Sequence, residues 1–211
     1  MGVKKKKRTI LVVDDKPEIR NLMREVLDIH GYNTILAASH DECLEKLKEM
    51  KPDLILLDIM MPEIDGWKTL KAIKDNPETK DIPVAMLTVV IPTYEDFIRH
   101  DVYSLVHYIT KPFTTDSLIK EIEKIFKFQT ILQKEKDEVS KKLTRDIAEE
   151  YEKLLKMVSV HERLMNVVRS FSLESEPSLK NSSLHLLRLQ LKTIESYKKR
   201  LDEIRKKMEE G

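Results

Sequence analysis

Leu54-Ile55-Leu56-Leu57-Asp58 decides how this chain folds, and Ile59-Met60-Met61-Pro62-Glu63-Ile64-Asp65-Gly66 follows it directly. Four apolar residues in a row read as a strand covered on both faces, the pattern of a parallel sheet. A carboxylate at the C-terminal end of such a strand sits where open α/β sheets gather their ligands. Pro62 and Gly66 then turn the chain before a helix over 66–74. Alone, Asp58 would read as a cap for that helix. Three further segments place matching chemistry beside it.

Upstream, Ile10-Leu11-Val12-Val13-Asp14-Asp15 is a second buried-strand pattern, ending in two adjacent acids. Neighbouring carboxylates repel unless a positive charge neutralises them. At the mouth of a parallel sheet, Mg²⁺ suits that role, because it is a hard ion that prefers oxygen ligands. Downstream, Val84-Ala85-Met86-Leu87-Thr88 ends in a hydroxyl, and Val106-His107-Tyr108-Ile109-Thr110-Lys111-Pro112-Phe113 reaches an ammonium. Helical periodicity fills the gaps. Strand 9–13 leads to helix 17–30, opened by Pro17 and stopped near Gly31. Strand 33–37 leads to helix 39–50, with Ser39 and Glu42 at capping-box spacing. Strands 53–57, 83–88 and 106–110 precede helices at 66–74, near 94–103 and from about 115. Five βα repeats of this length predict a parallel sheet with helices on both faces.

With Asp14-Asp15, Asp58, Met61-Pro62, Asp65-Gly66, Thr88 and Lys111-Pro112-Phe113 in this order, residues 8–128 resemble a response-regulator receiver domain. The resemblance implies a flavodoxin-like, doubly wound five-stranded sheet of order 2-1-3-4-5. It implies a phosphoryl group accepted on Asp58 from a histidine kinase. It implies Mg²⁺ held directly by Asp15 and Asp58, more indirectly by Asp14, and by the Met60 carbonyl. Lys111 would pair with one phosphoryl oxygen and the Thr88 hydroxyl with another. Tyr108 occupies the family's aromatic switch position, and reads equally as a ring half-buried on a terminal strand. The chain departs from the family in three places. Val89 stands where a small residue is usual, Val89-Val90-Ile91-Pro92-Thr93 is unusually apolar, and Ser104-Leu105 replaces the usual Gly-Ala. Met60 and Val90, which cannot orient a water by hydrogen bonding, predict a long-lived phosphorylated state.

Composition narrows the classes. Charged residues make up 36 % and aromatics 6 %, which fits a modest α/β domain with long exposed helices. With a formal net charge of +1, no global field argues for nucleic-acid binding, which stays possible but not favoured. Cys43 is the single cysteine, excluding an intrachain disulfide and any multi-cysteine metal site. No apolar run is long enough to span a bilayer, so no membrane insertion is expected. Lys4-Lys5-Lys6-Lys7-Arg8 precedes no signal-peptide core and reads as a solvated tail over 1–8, in a cytoplasmic protein.

After Asp116 no strand pattern returns. No glycine lies between Gly66 and Gly211, and no proline between Pro112 and Pro177. A receiver over 9–128 is therefore followed by an all-α hairpin over 129–211. One helix runs over about 129–172, a turn over 173–181, and a second helix over 182–209. On the first helix, Leu132, Val139, Leu143, Ile147, Tyr151, Leu154, Leu155, Val158, Met165 and Val168 recur at helical steps. On the second, Leu184, Leu187, Leu191, Ile194, Leu201 and Met208 follow heptad-like spacing, with Lys198 where an apolar residue is expected. A hairpin this thin buries little, so a homodimer through a coiled coil or four-helix bundle is expected. His161-Glu162 with Asn166 resembles the phosphorylated helix of dimeric histidine kinases, which offers His161 as a possible phosphotransfer residue. The hairpin and Leu201-Asp202-Glu203 are also similar to the HalX segment of some archaeal regulators.

The resulting expectation is a phosphoacceptor protein, not an enzyme, whose helical tail dimerises or binds an unidentified output protein. A transcriptional regulator whose tail contacts DNA, and a phosphorelay intermediate using His161, are the alternatives.

Overall fold

The computed structural model describes residues 7–89, 107–172 and 177–210. The helix expected near 94–103, the apolar residues 90–93 and the first position of the strand at 106 lie outside the described residues. The chain divides into two compact units, Met1–Glu121 and Ile122–Gly211.

In the first unit the strands are β1 (Thr9–Val13), β2 (Asn33–Ala37), β3 (Leu54–Asp58), β4 (Val84–Thr88) and β5 (His107–Thr110). They form one parallel sheet of order β2-β1-β3-β4-β5, the expected doubly wound topology. Every residue of β3 and β4 is buried, as is β1 from Ile10 to Val13. These strands are interior and covered on both faces, so they lack polar alternation. Edge strand β2 is only partly buried.

Local chemistry sets the helix ends. Helix α1 (Pro17–Ile29) opens on Pro17, whose missing N–H is no loss in a first turn. Beyond its end Gly31 takes φ +83°, a conformation glycine adopts without strain. Helix α2 (His40–Glu49) is capped by Ser39, whose hydroxyl accepts from the Glu42 N–H at 3.2 Å. The Glu42 carboxylate reaches back to the Ala38 N–H at 2.7 Å, one residue beyond the reciprocal capping-box partner. Helix α3 (Gly66–Asp75) is capped by Asp65, which accepts from the Lys68 N–H at 2.9 Å.

Helix α4 (Thr115–Lys142) runs unbroken across Glu121 and Ile122, where the two compact units divide. The single helix expected over 129–172 is interrupted. Helix α5 (Arg145–Ser172) starts afresh after Leu143-Thr144. The Thr144 hydroxyl accepts from the Ile147 N–H at 3.4 Å, and Asp146 lies in the first turn. Lys141 and Lys142 end the preceding helix, so the charges suit both helix dipoles. Helix α6 (Pro177–Glu210) begins earlier than residue 182, again with proline in its first turn.

The core of the second unit draws on three helices. Val139 of α4, Ala148, Tyr151, Val158 and Met165 of α5, and Ile194, Leu201 and Ile204 of α6 are buried together. The Tyr151 hydroxyl donates to Glu135 of α4 at 2.8 Å and accepts from Arg205 Nε of α6 at 2.9 Å. Arg200 forks onto Glu150 at 2.7 and 3.0 Å. Lys198, the break in the apolar pattern, is exposed and ion-pairs with Glu162 at 2.6 Å. Leu191, expected in the seam, is 40 % exposed. No helix among the described residues is long and apolar enough to cross a membrane.

Candidate functional site

Parallel pairing brings the C-terminal ends of the strands to one edge of the sheet. Asp14 follows β1, Asp58 ends β3, Thr88 ends β4, and Lys111 follows β5. The Lys111 N–H donates to the Thr88 carbonyl at 2.6 Å, closing the edge between β4 and β5. The Lys111 ammonium lies 2.8 Å from Asp14 Oδ2 and 3.3 Å from Asp58 Oδ1. Asp14 is fully buried, and its Oδ1 accepts from the Lys16 N–H at 2.9 Å. Oxygens of Asp14, Asp15 and Asp58 all lie within 4.8 Å of one another.

Three carboxylates against one ammonium leave an excess of negative charge in a largely buried place. Asp15 Oδ1 is buried and accepts no hydrogen bond. An oxygen-rich, under-neutralised cluster with an idle carboxylate oxygen fits a hard divalent cation. The Asp58 carboxyl is held above the ordinary aspartate range. Burial is the main cause, the Lys111 charge opposes it, Asp14 reinforces it, and a hydrogen bond from the Met60 main-chain N–H opposes it.

The loop after β3 is shaped by close approach. A Cβ on Gly66 would stand 2.2 Å from the Asp58 carbonyl oxygen, so only glycine fits there. The Gly66 N–H donates to the Ile59 carbonyl at 2.9 Å, and Glu63 takes φ +62°. Met60 is 60 % exposed and Val89 57 % exposed. Thr88 and Tyr108 are buried, the Tyr108 ring centroid lying 6.4 Å from that of Trp67. Tyr108 is thus more deeply placed than a half-buried ring.

The sheet edge therefore brings together Asp14, Asp15, Asp58, Thr88 and Lys111 as expected from sequence. His161 stands elsewhere, within the second unit. It is 2 % exposed, its Nδ1 lies 2.6 Å from the Met157 carbonyl oxygen, and it packs edge-on against Tyr197. Burial lowers its pKa. A phosphotransfer histidine must present its ring to a second protein, and this one is a core residue. Sequence reasoning missed Arg20, whose guanidinium donates to the Asp14 main-chain carbonyl at 2.6 Å. No spacing rule marks such a contact.

Residues 10–123 match the receiver domain of response regulators, and the chain belongs to that family. Among relatives, it is 38 % identical over 120 residues to the phosphate regulon transcriptional regulatory protein PhoB of Escherichia coli, covering 57 % of this chain and 52 % of PhoB. It is 33 % identical over 117 residues to the polar-differentiation response regulator DivK of Brucella ovis, covering 55 % of this chain and 94 % of DivK. The match thus spans about half the length of the PhoB relatives. The solved chemotaxis protein CheY4 of Vibrio cholerae superposes with a TM-score of 0.53 at 28 % identity, over 56 % of this chain and 98 % of that one. TrrA of Thermotoga maritima, solved in complex with Mg²⁺ and BeF, gives a TM-score of 0.50 at 33 % identity, over 56 % of this chain and 98 % of that one.

Proposed function

We propose that this chain is a phosphorylation-controlled response regulator. Asp58 accepts a phosphoryl group from a histidine kinase, and the C-terminal helices pass the change to an output partner. The observation that carries this reading is the Lys111 ammonium set between Asp14 and Asp58, at 2.8 and 3.3 Å, beside an unsatisfied Asp15 oxygen.

A carboxylate oxygen of Asp58 attacks the phosphorus in line with the donor's imidazole nitrogen. The P–O bond forms, the P–N bond breaks, and its electron pair stays with the imidazole. Charge spread over the phosphoryl oxygens is what the site must stabilise. Lys111, already at the cluster, meets one of those oxygens, and the Thr88 hydroxyl at the end of β4 meets another. Mg²⁺ would be held by Asp15 and Asp58, with Asp14 and the Met60 carbonyl in support, and would neutralise phosphoryl charge. Asp58 acts as a self-phosphorylating acceptor from a small donor, so no separate enzymatic activity is assigned.

The test is phosphorylation by a small acyl or amido phosphate with Mg²⁺, followed by intact mass. Wild type should gain one phosphate and Asp58→Asn none. Equal uptake by Asp58→Asn would place the acceptor elsewhere.

A second reading, a regulator of transcription, has one observation behind it: relatives such as PhoB are named transcriptional regulators. Their similarity lies in the receiver part, and the helical segment here is close to charge-balanced. A promoter-binding shift by the full chain would favour it.

A further inference from the structure

The geometry points to Arg20 as a positioning residue that aims Asp15 at the cation. This rests on the proposed function and adds a residue to its site. Asp14 is held on every side. Its N–H donates to the Ala37 carbonyl at 3.2 Å, Lys16 N–H and the Lys111 ammonium occupy its two carboxylate oxygens, and Arg20 Nη1 donates to its carbonyl oxygen at 2.6 Å. Asp15, by contrast, has a carboxylate oxygen with no hydrogen-bond partner. What aims that side chain is its backbone. The carbonyl of Asp14 and the N–H and Cα of Asp15 belong to one planar peptide unit. A guanidinium clamped on the Asp14 oxygen therefore fixes the plane from which the Asp15 side chain departs. Arg20 lies on the first turns of α1, and its main-chain N–H donates to the Lys16 carbonyl at 3.1 Å. The clamp thus ties Asp15 to a rigid element and not to a loose loop. A short, charge-assisted hydrogen bond suits that task.

Charge alone makes the opposite prediction. A cation near the cluster repels Mg²⁺, so deleting it should tighten metal binding. Positioning predicts weaker binding. Arg20→Met keeps the apolar stem and removes both donor and charge, and Arg20→Lys keeps the charge and one donor. Mg²⁺ affinity of the full chain is read from the fluorescence of Trp67, the single tryptophan, with calorimetry as a check, and urea unfolding is measured without metal. Expected is an affinity about tenfold weaker in Arg20→Met, about 1.4 kcal/mol, partly recovered in Arg20→Lys, with little change in metal-free stability. Unchanged or tighter binding by Arg20→Met overturns the assignment, as does a loss that follows metal-free stability. If Arg20→Met does not fold, Arg20→Lys carries the test: weaker Mg²⁺ binding at unaltered metal-free stability supports the clamp, and wild-type binding overturns it. Asp15→Ala separates the two levels. If it binds Mg²⁺ as wild type does, the metal site itself is wrong; if it fails to bind while Arg20→Met binds normally, only the role of Arg20 falls.

Discussion

Asp58 carries its charge in a place that resists it. Its folded pKa lies above that of the unfolded chain, chiefly through burial. The folded state therefore keeps this proton to a higher pH. The stability it contributes is full below the ordinary aspartate range, about pH 4, and is lost as pH rises through the raised value. Asp58→Asn is accordingly expected to raise the melting temperature at pH 7 in metal-free buffer and to leave it unchanged near pH 3. Scanning calorimetry at the two pH values checks this, and an equal shift at both would count against it. Met60 bears on what happens after phosphorylation. Its main-chain N–H bonds Asp58, while its exposed side chain offers an attacking water no good hydrogen bond. Met60→Asn supplies such a group and should hasten loss of phosphate roughly ten- to a hundredfold, the equivalent of about 1–3 kcal/mol of barrier. A decay assay in Mg²⁺ buffer reads this directly.

Among the elements, the strands were the most legible. Four unbroken apolar residues before Asp58, and four before Asp14, could only be covered on both faces, and β3 and β1 are. The break between α4 and α5 was written in the chain as well. Thr144 and Asp146 after Lys141-Lys142 are start and stop signals, overshadowed by an apolar pattern that continues in step across them. The consequence is a third helix in the core of the second unit, locked by Tyr151 between Glu135 and Arg205. Tyr151→Phe leaves a carboxylate and a guanidinium without the hydroxyl they share. A loss of about 1–3 kcal/mol is expected, read by urea unfolding of the full chain. A change within measurement error would mean that water or a shorter Glu135–Arg205 contact replaces the phenol.

At the scale of the whole molecule, the α6 seam finds part of its cover within its own chain. A lone thin hairpin leaves heptad-spaced residues uncovered, which is the ground for expecting a dimer. Ile194 and Leu201 are instead buried within the same chain, against α5 and the end of α4. Burying an apolar side chain once is enough, at about 1.5–3 kcal/mol each. Light scattering of the unphosphorylated protein at micromolar concentration should give the mass of one chain, 24.8 kDa. Twice that mass would support the homodimer, with Leu191, exposed on α6, open to its seam.

Asp14, Asp15, Asp58, Thr88 and Lys111 could be read before any coordinates because each is punctuation at the end of an apolar run. Strand ends in a parallel sheet converge by topology, so chain order alone brought these residues to one edge. The same logic cannot reach Arg20, whose contact with the Asp14 carbonyl depends on how α1 docks on the sheet. Nor can it reach His161, since a histidine on an amphipathic helix reads alike whether its face meets solvent or another helix. Local sequence carries propensity and period. Which of two equivalent faces is covered is decided only when a third element arrives, and here α4 covered positions that an isolated hairpin would have left for a partner.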